Sequence, residues 1–529
     1  MTSSVLTFAL AALLLLQGCS EHSSPAEKME VVLRRGLGGE PSSLDPAAAV
    51  DSFSVQLVQD LYEGLVREGP NGEIIPGVAS SWEVSPSGTK YTFHIRPSAR
   101  WSNGQSVRAR DFVAAWQRVV DPKLGSLVSN DLRLVAGAAA IISGESSPST
   151  LGAVAINDEE FVVELDQPAP YFLQLLAHPS TFPVFSDVAA RSHDASGWVS
   201  NGAYVLSEWH PGTRLDLSKN EKYWDHAEVH IQRVQYQIAT DQYAQFAAYR
   251  AGQLDLTDTI PANALSALLT EHPDEVVIAP YSAIAYYGLN MTAPPFANNL
   301  KLRQALAMSI DRRRLVGVLA LGQVPAFAFV PPGIWNYDSV PLGWKDLSDV
   351  ERVTAAKRLY KEAGYSTTQP LRLRLLLNSN PSIKQTANLV AAMWREELGV
   401  ETTLTDEEFK VFLQSRRDKK RWDVLRLAWN ADYNDASNFL DIFRSNSVNN
   451  DTGYSNSSFD TILDRATTTL DPSRRRGILE DAEKVMLADY AAIPLYFFVS
   501  KHLVKPYVVG FKANPFDRIR SQSLTIVPH

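Results

Sequence analysis

Arg426 and Asp432, six residues apart, are the side chains that could bind charged groups from one short segment of this sequence. The run from Asp423 to Trp429 predicts a strand, and Asp432 follows it in a polar turn. A planar guanidinium pairs with a carboxylate through two hydrogen bonds, and a carboxylate pairs with a cation. Structural roles stay open at this point. Arg426 could pair with Asp423 or Asp435, and Asp432 could cap the short helix that the next residues predict.

Motifs of known catalytic chemistry are absent from the sequence: it has no HExxH, no GxSxG, no Walker A and no GxGxxG. His226 and His230 flank Glu228 and could form a metal pair on a helix. The alternation from Val229 to Tyr236 instead predicts an extended segment, in which residues four apart are well separated. We therefore expect surface histidines, no metal, no cofactor and no enzyme.

Composition also limits the function. The 529 residues carry a net charge of -9, which argues against nucleic acid as a partner. They include 11 Trp, 19 Tyr and 21 Phe, a supply that suits a protein enclosing organic ligands. After position 19 there is no cysteine, so the fold must be stable without disulfides or thiolate metal sites.

The single cysteine, Cys19, ends an apolar run and follows Gly18. The run from Val5 to Leu16 has the length of a signal-peptide core and is too short to span a bilayer. A small residue followed by a lone Cys resembles the lipobox of bacterial lipoproteins, which implies cleavage before Cys19 and lipidation of its thiol. We expect a signal peptide over 1–18, a lipidated tether over 19–29 and an envelope location, and Ser20 suggests outer-membrane sorting.

Apolar periodicity predicts a chain in which strands and helices intermix. Strands are expected at 31–33, 91–96, 161–165, 371–377 and 422–429, and helices near 55–65, 112–120, 302–310 and 389–398. We expect the two arginine triplets, 312–314 and 474–476, to lie on solvated helix faces. The intermixing indicates an α/β or α+β class.

A series of motifs spans the chain after the tether. It comprises 42–46 (Ser-Ser-Leu-Asp-Pro), 60–65 (Asp-Leu-Tyr-Glu-Gly-Leu), 76–82 (Pro-Gly-Val-Ala-Ser-Ser-Trp), 101–104 (Trp-Ser-Asn-Gly), 200–204 (Ser-Asn-Gly-Ala-Tyr), 220–224 (Asn-Glu-Lys-Tyr-Trp), 303–306 (Arg-Gln-Ala-Leu), 362–365 (Glu-Ala-Gly-Tyr) and 430–434 (Asn-Ala-Asp-Tyr-Asn). This series resembles the extracytoplasmic solute-binding proteins of peptide ABC importers, most closely the oligopeptide-binding type.

The resemblance implies an α/β fold of the periplasmic-binding-protein type, with two mixed-sheet lobes joined by a hinge and an extra domain. The expected boundaries are 30–62 with 188–282 and 500–529 for the first lobe, 63–187 for the extra domain and 283–499 for the other lobe. It implies a monomer that binds a peptide between the lobes and delivers it to an inner-membrane ABC permease.

The resemblance also implies a set of binding residues. Asp432 corresponds to the aspartate that pairs with the α-ammonium group of the ligand, and Arg426 to the arginine that receives the carboxylate of short peptides. The other implied ligand-binding positions are Ser52, Tyr281, Tyr286, Phe409, Phe498, Trp429 and Asn430.

Some positions depart from the family pattern. The histidine and lysine that neutralise carboxylates farther along the cleft are replaced near Ile383 or Lys384 and near 319–321, and the amine-binding tyrosine lacks a match around 129–131. Asp51 could supply a second carboxylate near the amine. Three interpretations remain: general oligopeptide binding, a specialised ligand such as a murein peptide, and an envelope scaffold or chaperone on the same fold.

Overall fold

The computed structural model describes residues 31–69, 72–185 and 197–529. Cys19, the expected signal peptide and the tether lie outside the described residues. Within those residues, none of the helices combines the length and the apolar character needed to cross a membrane.

Strands occur throughout the described chain. They are β1 Val32–Leu37, β2 Val66–Glu68, β3 Ile74–Pro76, β4 Ala79–Val84, β5 Lys90–Ile95, β6 Ala153–Ala155, β7 Glu160–Glu164, β8 Tyr204–His210, β9 Arg214–Lys219, β10 Arg233–Ile238, β11 Val276–Leu289, β12 Val324–Pro325, β13 Arg372–Asn378, β14 Glu401–Glu407, β15 Val424–Asn430, β16 Ala492–Leu503, β17 Val508–Val509 and β18 Thr525–Ile526. Their distribution along the chain confirms the strands expected from the apolar pattern.

Helices alternate with these strands. They are α1 Ser52–Leu61, α2 Ala109–Val120, α3 Ala138–Ile142, α4 Phe172–Leu175, α5 Gln242–Arg250, α6 Leu265–Glu271, α7 Leu300–Ser309, α8 Arg312–Leu319, α9 Asp349–Glu362, α10 Pro381–Leu398, α11 Phe409–Ser415, α12 Ser437–Leu440, α13 Ser457–Thr468 and α14 Pro472–Ala488. The α10 helix, expected near 389–398, ends at Gly399, whose positive φ of 76° suits a residue without a side chain.

Three sheets form the framework. One has the order β1-β10-β9-β8, with β1 parallel to β10 and the other pairs antiparallel. A second, antiparallel sheet has the order β4-β5-β7-β6. The largest has the order β12-β16-β11-β15-β13-β14, in which β13 pairs in parallel with both of its neighbours. The mixed sheets and intervening helices confirm the α/β class.

The buried apolar residues form two large cores, which define two lobes. The core of the N-terminal lobe contains residues from Leu33 to Leu256 and from Val504 to Leu524, and it is shared by the first two sheets. The core of the C-terminal lobe runs from Ile284 to Phe497. The chain therefore passes between the lobes within β11 and β16.

The two crossing strands pair with each other on both sides of an irregular step. Pro280 pairs with Val499 and Ile284 pairs with Phe497, so three residues of β11 lie opposite one residue of β16. Such a bulge bends the strand and leaves residues outside the regular ladder. The bend lies where the chain leaves one core and enters the other.

The two arginine triplets, 312–314 and 474–476, do not lie wholly on solvated helix faces as the sequence predicted. Arg312 and Arg475 are buried, whereas we expected both triplets on solvated faces. Each helical residue advances by about 100° around the axis, so three successive residues span too wide an arc for all of them to face solvent. Residues 226–228 form a short 3-10 helix, and the segment expected to be extended after it leads into the strand β10.

Candidate functional site

A cavity of about 660 Å³ lies between the two lobes and is named here the central cavity. The N-terminal lobe contributes Asp51 and Ser52 at the start of α1 and the loop residue Asp258. The C-terminal lobe contributes one face of β15, and the crossing strands contribute Tyr281 and Phe498. The cavity therefore joins residues that are hundreds of positions apart in the sequence.

The strand β15 positions the predicted cation. Arg426, Ala428 and Asn430 alternate along β15 and all three line the central cavity, as the two-residue period of a strand requires. Trp429 lies on the opposite face, where its indole Nε1 donates to Asn438 Oδ1 at 2.8 Å. The local pattern thus directs Arg426 and Asn430 towards the cavity and Trp429 away from it.

Arg426 is 9% exposed, and no side chain among the described residues forms an ion pair or hydrogen bond with its guanidinium. The carboxylates considered as structural partners are both occupied. Asp423 pairs with Arg374 at 2.9 Å, and Asp435 accepts two hydrogen bonds from Arg475 at 2.5 and 2.8 Å. A buried, unpaired cation is costly, so the site is suited to an anionic group from outside the chain.

Asp432 follows Ala431, which lines the central cavity, and is solvent-exposed in this arrangement. It does not cap the following helix, because the carboxylate of Asp435 accepts the Ser437 N–H instead. Its contact with Asn438 is long, 3.5 Å from Nδ2 to Oδ2. Partial desolvation raises its pKa, and the charge of Asp131 acts in the same direction. The carboxylate is therefore available to pair with a cation.

Asp131 pairs with His178, and both His178 and Arg518 line the central cavity. Its Oδ2 accepts from Ser180 Oγ at 2.7 Å and lies 3.2 Å from His178 Nδ1. Burial would raise its pKa, but the contacts from His178 and Ser180 outweigh that effect and lower it. The charges of His178 and Arg518 lower the pKa of Asp432, so this group interacts electrostatically with Asp432.

The remaining predicted residues divide into two sets. Ser52, Tyr281 and Phe498 line the central cavity. Tyr286 lies instead in the core of the C-terminal lobe, with its ring against Phe329 at 5.0 Å between centroids. Phe409 is 56% exposed at the start of α11 and does not line the central cavity in this arrangement.

Asp51 has a structural task that the sequence did not reveal. It caps α1, and its carboxylate accepts hydrogen bonds from the backbone and hydroxyl groups of both Ser42 and Ser54. Desolvation opposes its ionisation, but these hydrogen bonds prevail and lower its pKa. Its lone pairs are therefore largely committed within the chain.

Sequence reasoning missed several charged residues of the central cavity, among them Lys501, His502, Asp258 and Asp517. His502 lies 2.7 Å from Asp517; burial would lower the pKa of His502, but the carboxylate contact outweighs this effect and raises it. Burial raises the pKa of Asp258 to about 6. A lysine and a histidine inside the otherwise apolar run from Ala492 to Leu503 were the available signal.

One group of potential metal ligands occurs in the described residues: Glu208, His210 and Asp216. Both oxygens of Asp216 already pair with arginines, Oδ2 with Arg214 at 2.8 Å and Oδ1 with Arg233 at 2.9 Å. Two guanidinium groups at the same carboxylate oppose a cation there, so the group is better explained as a surface ion-pair network.

The comparisons with known proteins agree with this geometry. Residues 73–451 match the model of the bacterial extracellular solute-binding proteins, family 5 (middle region). Two Escherichia coli K12 proteins align over 95% of this chain and 94% of their own length: the periplasmic oligopeptide-binding protein OppA at 36% identity and the periplasmic murein peptide-binding protein MppA at 35%. A probable deoxycholate-binding periplasmic protein of the same strain, YgiS, is 35% identical over 94% of each chain. The chain belongs to the family 5 solute-binding proteins, and its homologues are periplasmic binding proteins.

Two solved structures indicate the conformation. The unliganded open form of MppA covers 95% of this chain and 98% of its own with a TM-score of 0.89 at 34% identity. OppA of Haemophilus influenzae in complex with RPPGFSPFR covers 94% and 99% with a TM-score of 0.71 at 33% identity. At nearly equal identity, the chain is thus more similar in structure to the unliganded open form than to the peptide complex. The two-lobe periplasmic-binding fold expected from the sequence is confirmed.

Proposed function

We propose that this protein binds peptides between its two lobes and delivers them to an ABC permease, without catalysing a reaction. The observation that carries this proposal is Arg426, a buried guanidinium that lines the central cavity with no partner in the described chain. Because an unpaired buried charge is costly, a ligand carboxylate is the natural partner. The relatives named for oligopeptide and murein peptide binding support this class of ligand.

The opposite end of a peptide would lie at Asp432. The charge of Asp131 raises the pKa of the Asp432 carboxyl group, so a cation close to both carboxylates would be favoured. Closure of the lobes would bring the groups together around an α-ammonium group and exclude water, which strengthens the interaction. Asp432 and Arg426 would then bind the two charged ends of a short peptide.

Murein peptides are a second candidate because MppA is nearly as similar as OppA. A bile acid, suggested by the name of YgiS, has a carboxylate but no ammonium group. Only a ligand with an amine uses the acidic pair of Asp432 and Asp131. That pair therefore favours peptides over bile acids, and it also disfavours a scaffold or chaperone role in which the cleft would stay unused.

Blocking the amine tests this proposal. Calorimetry should show that the wild type binds free tripeptides and binds their N-acetylated forms far more weakly. Asp432→Ala should weaken the free peptides by about tens to thousands of fold, the range for truncating one partner of a desolvated pair. The same substitution should change little for acetylated peptides, which lack the partner charge.

The exposed Asp464→Ala is the control, because it removes a carboxylate that pairs with Arg444 instead of a ligand. It should leave both affinities unchanged. Equal wild-type affinity for free and acetylated peptides would refute the amine role of Asp432, and absence of binding to any peptide would refute the proposed function.

We also propose that ligand binding closes the lobes around the irregular step between Pro280 and Ile284. The expected first lobe (30–62 with 188–282 and 500–529), together with the expected extra domain (63–187), would move as one rigid body. The other expected lobe (283–499) would move as the second rigid body about these crossing strands. Small-angle scattering should show a smaller radius of gyration with a bound peptide. Binding by calorimetry without compaction would contradict the hinge.

A lipid anchor at Cys19 is proposed from the motif before it, with the protein held as a monomer at the periplasmic side of the cell envelope. Two hydrocarbon chains suffice for stable anchoring. Cys19→Ser should move the protein from the membrane fraction to the soluble fraction, and mass spectrometry should find acyl groups on the wild type. A wild-type protein without acyl groups would contradict this proposal.

A further inference from the structure

A second, smaller cavity of about 320 Å³ adjoins the central cavity and is named here the side cavity. Arg426, Phe498, Val499 and Lys501 line both cavities, so a ligand at Arg426 has direct access to the side cavity. The other polar residues around it are neutral: Gln323, Asn380, Ser382 and Tyr496. Its described lining includes two cations and no carboxylate.

Lys501 resembles Arg426 in lacking a partner. None of the described carboxylates lies within ion-pair distance of its ammonium group. Partial burial lowers its pKa, with no carboxylate acting against that effect. In contrast, its neighbour His502 is paired with Asp517, and Lys505 is paired with Glu275. Lys501 is thus a cation that the fold buries in part and leaves unneutralised.

The side cavity has a further source of positive potential. The helix α10 begins at Pro381, and Ser382 and Ile383 of its first turn line the side cavity. Asn380 accepts from the N–H groups of both residues, which fixes the start of this 18-residue helix at the cavity wall. The N-terminus of a helix favours negative charge, so it adds to the field of the two cations.

We propose that the side cavity is a carboxylate subsite built on Lys501, so that the protein selects ligands with two carboxylates at their carboxyl end. One carboxylate pairs with Arg426 and the second pairs with Lys501. A peptide that ends in an acidic residue has this chemistry, whereas a peptide that ends in a neutral residue leaves Lys501 unpaired. This inference rests on the proposed function and deepens it by naming the class of peptide.

Two tripeptides that differ only in charge test the inference: Ala-Ala-Glu and Ala-Ala-Gln, measured by calorimetry. The wild type should prefer the Glu peptide by about tenfold, a moderate value because Lys501 is only partly buried. Lys501→Ala should abolish this preference while retaining binding of Ala-Ala-Gln. Lys501→Glu should reverse the preference, and Lys501→Arg, which keeps the positive charge, should retain it.

Lys384→Ala is the matched control, because Lys384 lies beside Ile383 but is already paired with Asp406 at 3.1 Å. It should keep the preference for Glu. Equal wild-type affinities for the two peptides, or a preference that persists in Lys501→Ala, would overturn the subsite. An effect of Lys501→Ala confined to C-terminal carboxylates of longer peptides would also overturn it. Binding of both tripeptides in any of these cases preserves the proposed function.

Discussion

Buried charged side chains of the C-terminal lobe occur in two regions, and the regions differ in whether these side chains have hydrogen-bond or ion-pair partners. On its helical side, away from the central cavity, Glu483 accepts four hydrogen bonds, from the N–H groups of Phe329, Val330 and Val340 and from the Tyr337 hydroxyl. Asp435 on that side is also paired, because Arg475 donates a hydrogen bond to each of its two carboxylate oxygens. At the cleft, Arg426 of this lobe has no such partner among the described residues, and neither has Lys501 of the crossing strand β16.

The two regions also differ when the buried arginine has no carboxylate as an ion-pair partner. Arg312 is buried in the helical region, and its guanidinium donates to the carbonyl oxygens of Pro494, Ala307 and Ile310. Arg426 is almost as buried and makes no comparable contact with described residues. Burial alone therefore does not distinguish a structural charge from a binding charge; the number of partners does.

The largest expected effect is on stability, at the satisfied pair. Arg475→Ala leaves the carboxylate of Asp435 buried without its partner, which typically costs about 3–5 kcal/mol. We expect a clear fall in the denaturant midpoint and peptide affinity close to the wild-type value in the folded protein. Arg476→Ala is the control, because Arg476 is exposed beside the same helix position and should cost less than about 1 kcal/mol. A stable Arg475→Ala variant would break the comparison.

Arg426→Ala should have the opposite profile. Affinity for short peptides with a free carboxylate should fall by about 2–5 kcal/mol, whereas the unliganded protein should be as stable as the wild type or more so, since no partner is left behind. Calorimetry and denaturation of the same variant measure both quantities. Arg372→Ala, an exposed arginine on β13, should change neither. A destabilised variant with unchanged affinity would assign Arg426 to the structural class.

The sequence predicted the regular elements and one side of the site better than the other. Alternation in 422–429 was enough to predict β15, and resemblance selected Arg426 and Asp432 on or after it. The pairing of Asp131 with His178 was not predicted, because the two residues are 47 positions apart and come together only when their segments pack. Local sequence periodicity carries no information about such a contact. The sequence also did not show that Tyr286 lies in the core and not in the cavity. A strand buried on both faces has no apolar–polar alternation, so its pattern does not tell which face a residue is on.

Asp258 gives the smallest expected effect. It is a charged residue of the cleft, and its contribution to the free energy of unfolding changes with pH. Its pKa is raised to about 6, chiefly by burial, with Asp517 acting in the same direction and with His502, Arg35 and the Gly38 N–H acting against it. A carboxyl whose pKa is higher in the folded state stabilises the fold when protonated. That contribution is complete below the unfolded value of about 4 and is lost as pH rises through about 6.

Asp258→Asn removes this titration while keeping a side chain of similar size. The variant should gain stability relative to the wild type as pH rises from about 4 to 7, by at most about 3 kcal/mol, which is the raised pKa converted at 1.36 kcal/mol per unit. Denaturant titrations of both proteins across this range measure the difference, in which the other titrating groups cancel. Asp274→Asn, at an exposed position, should give parallel curves. If Asp258→Asn also ran parallel to the wild type, Asp258 would be as well accommodated as Glu483, and an unmet charge would no longer mark the cleft as the binding region.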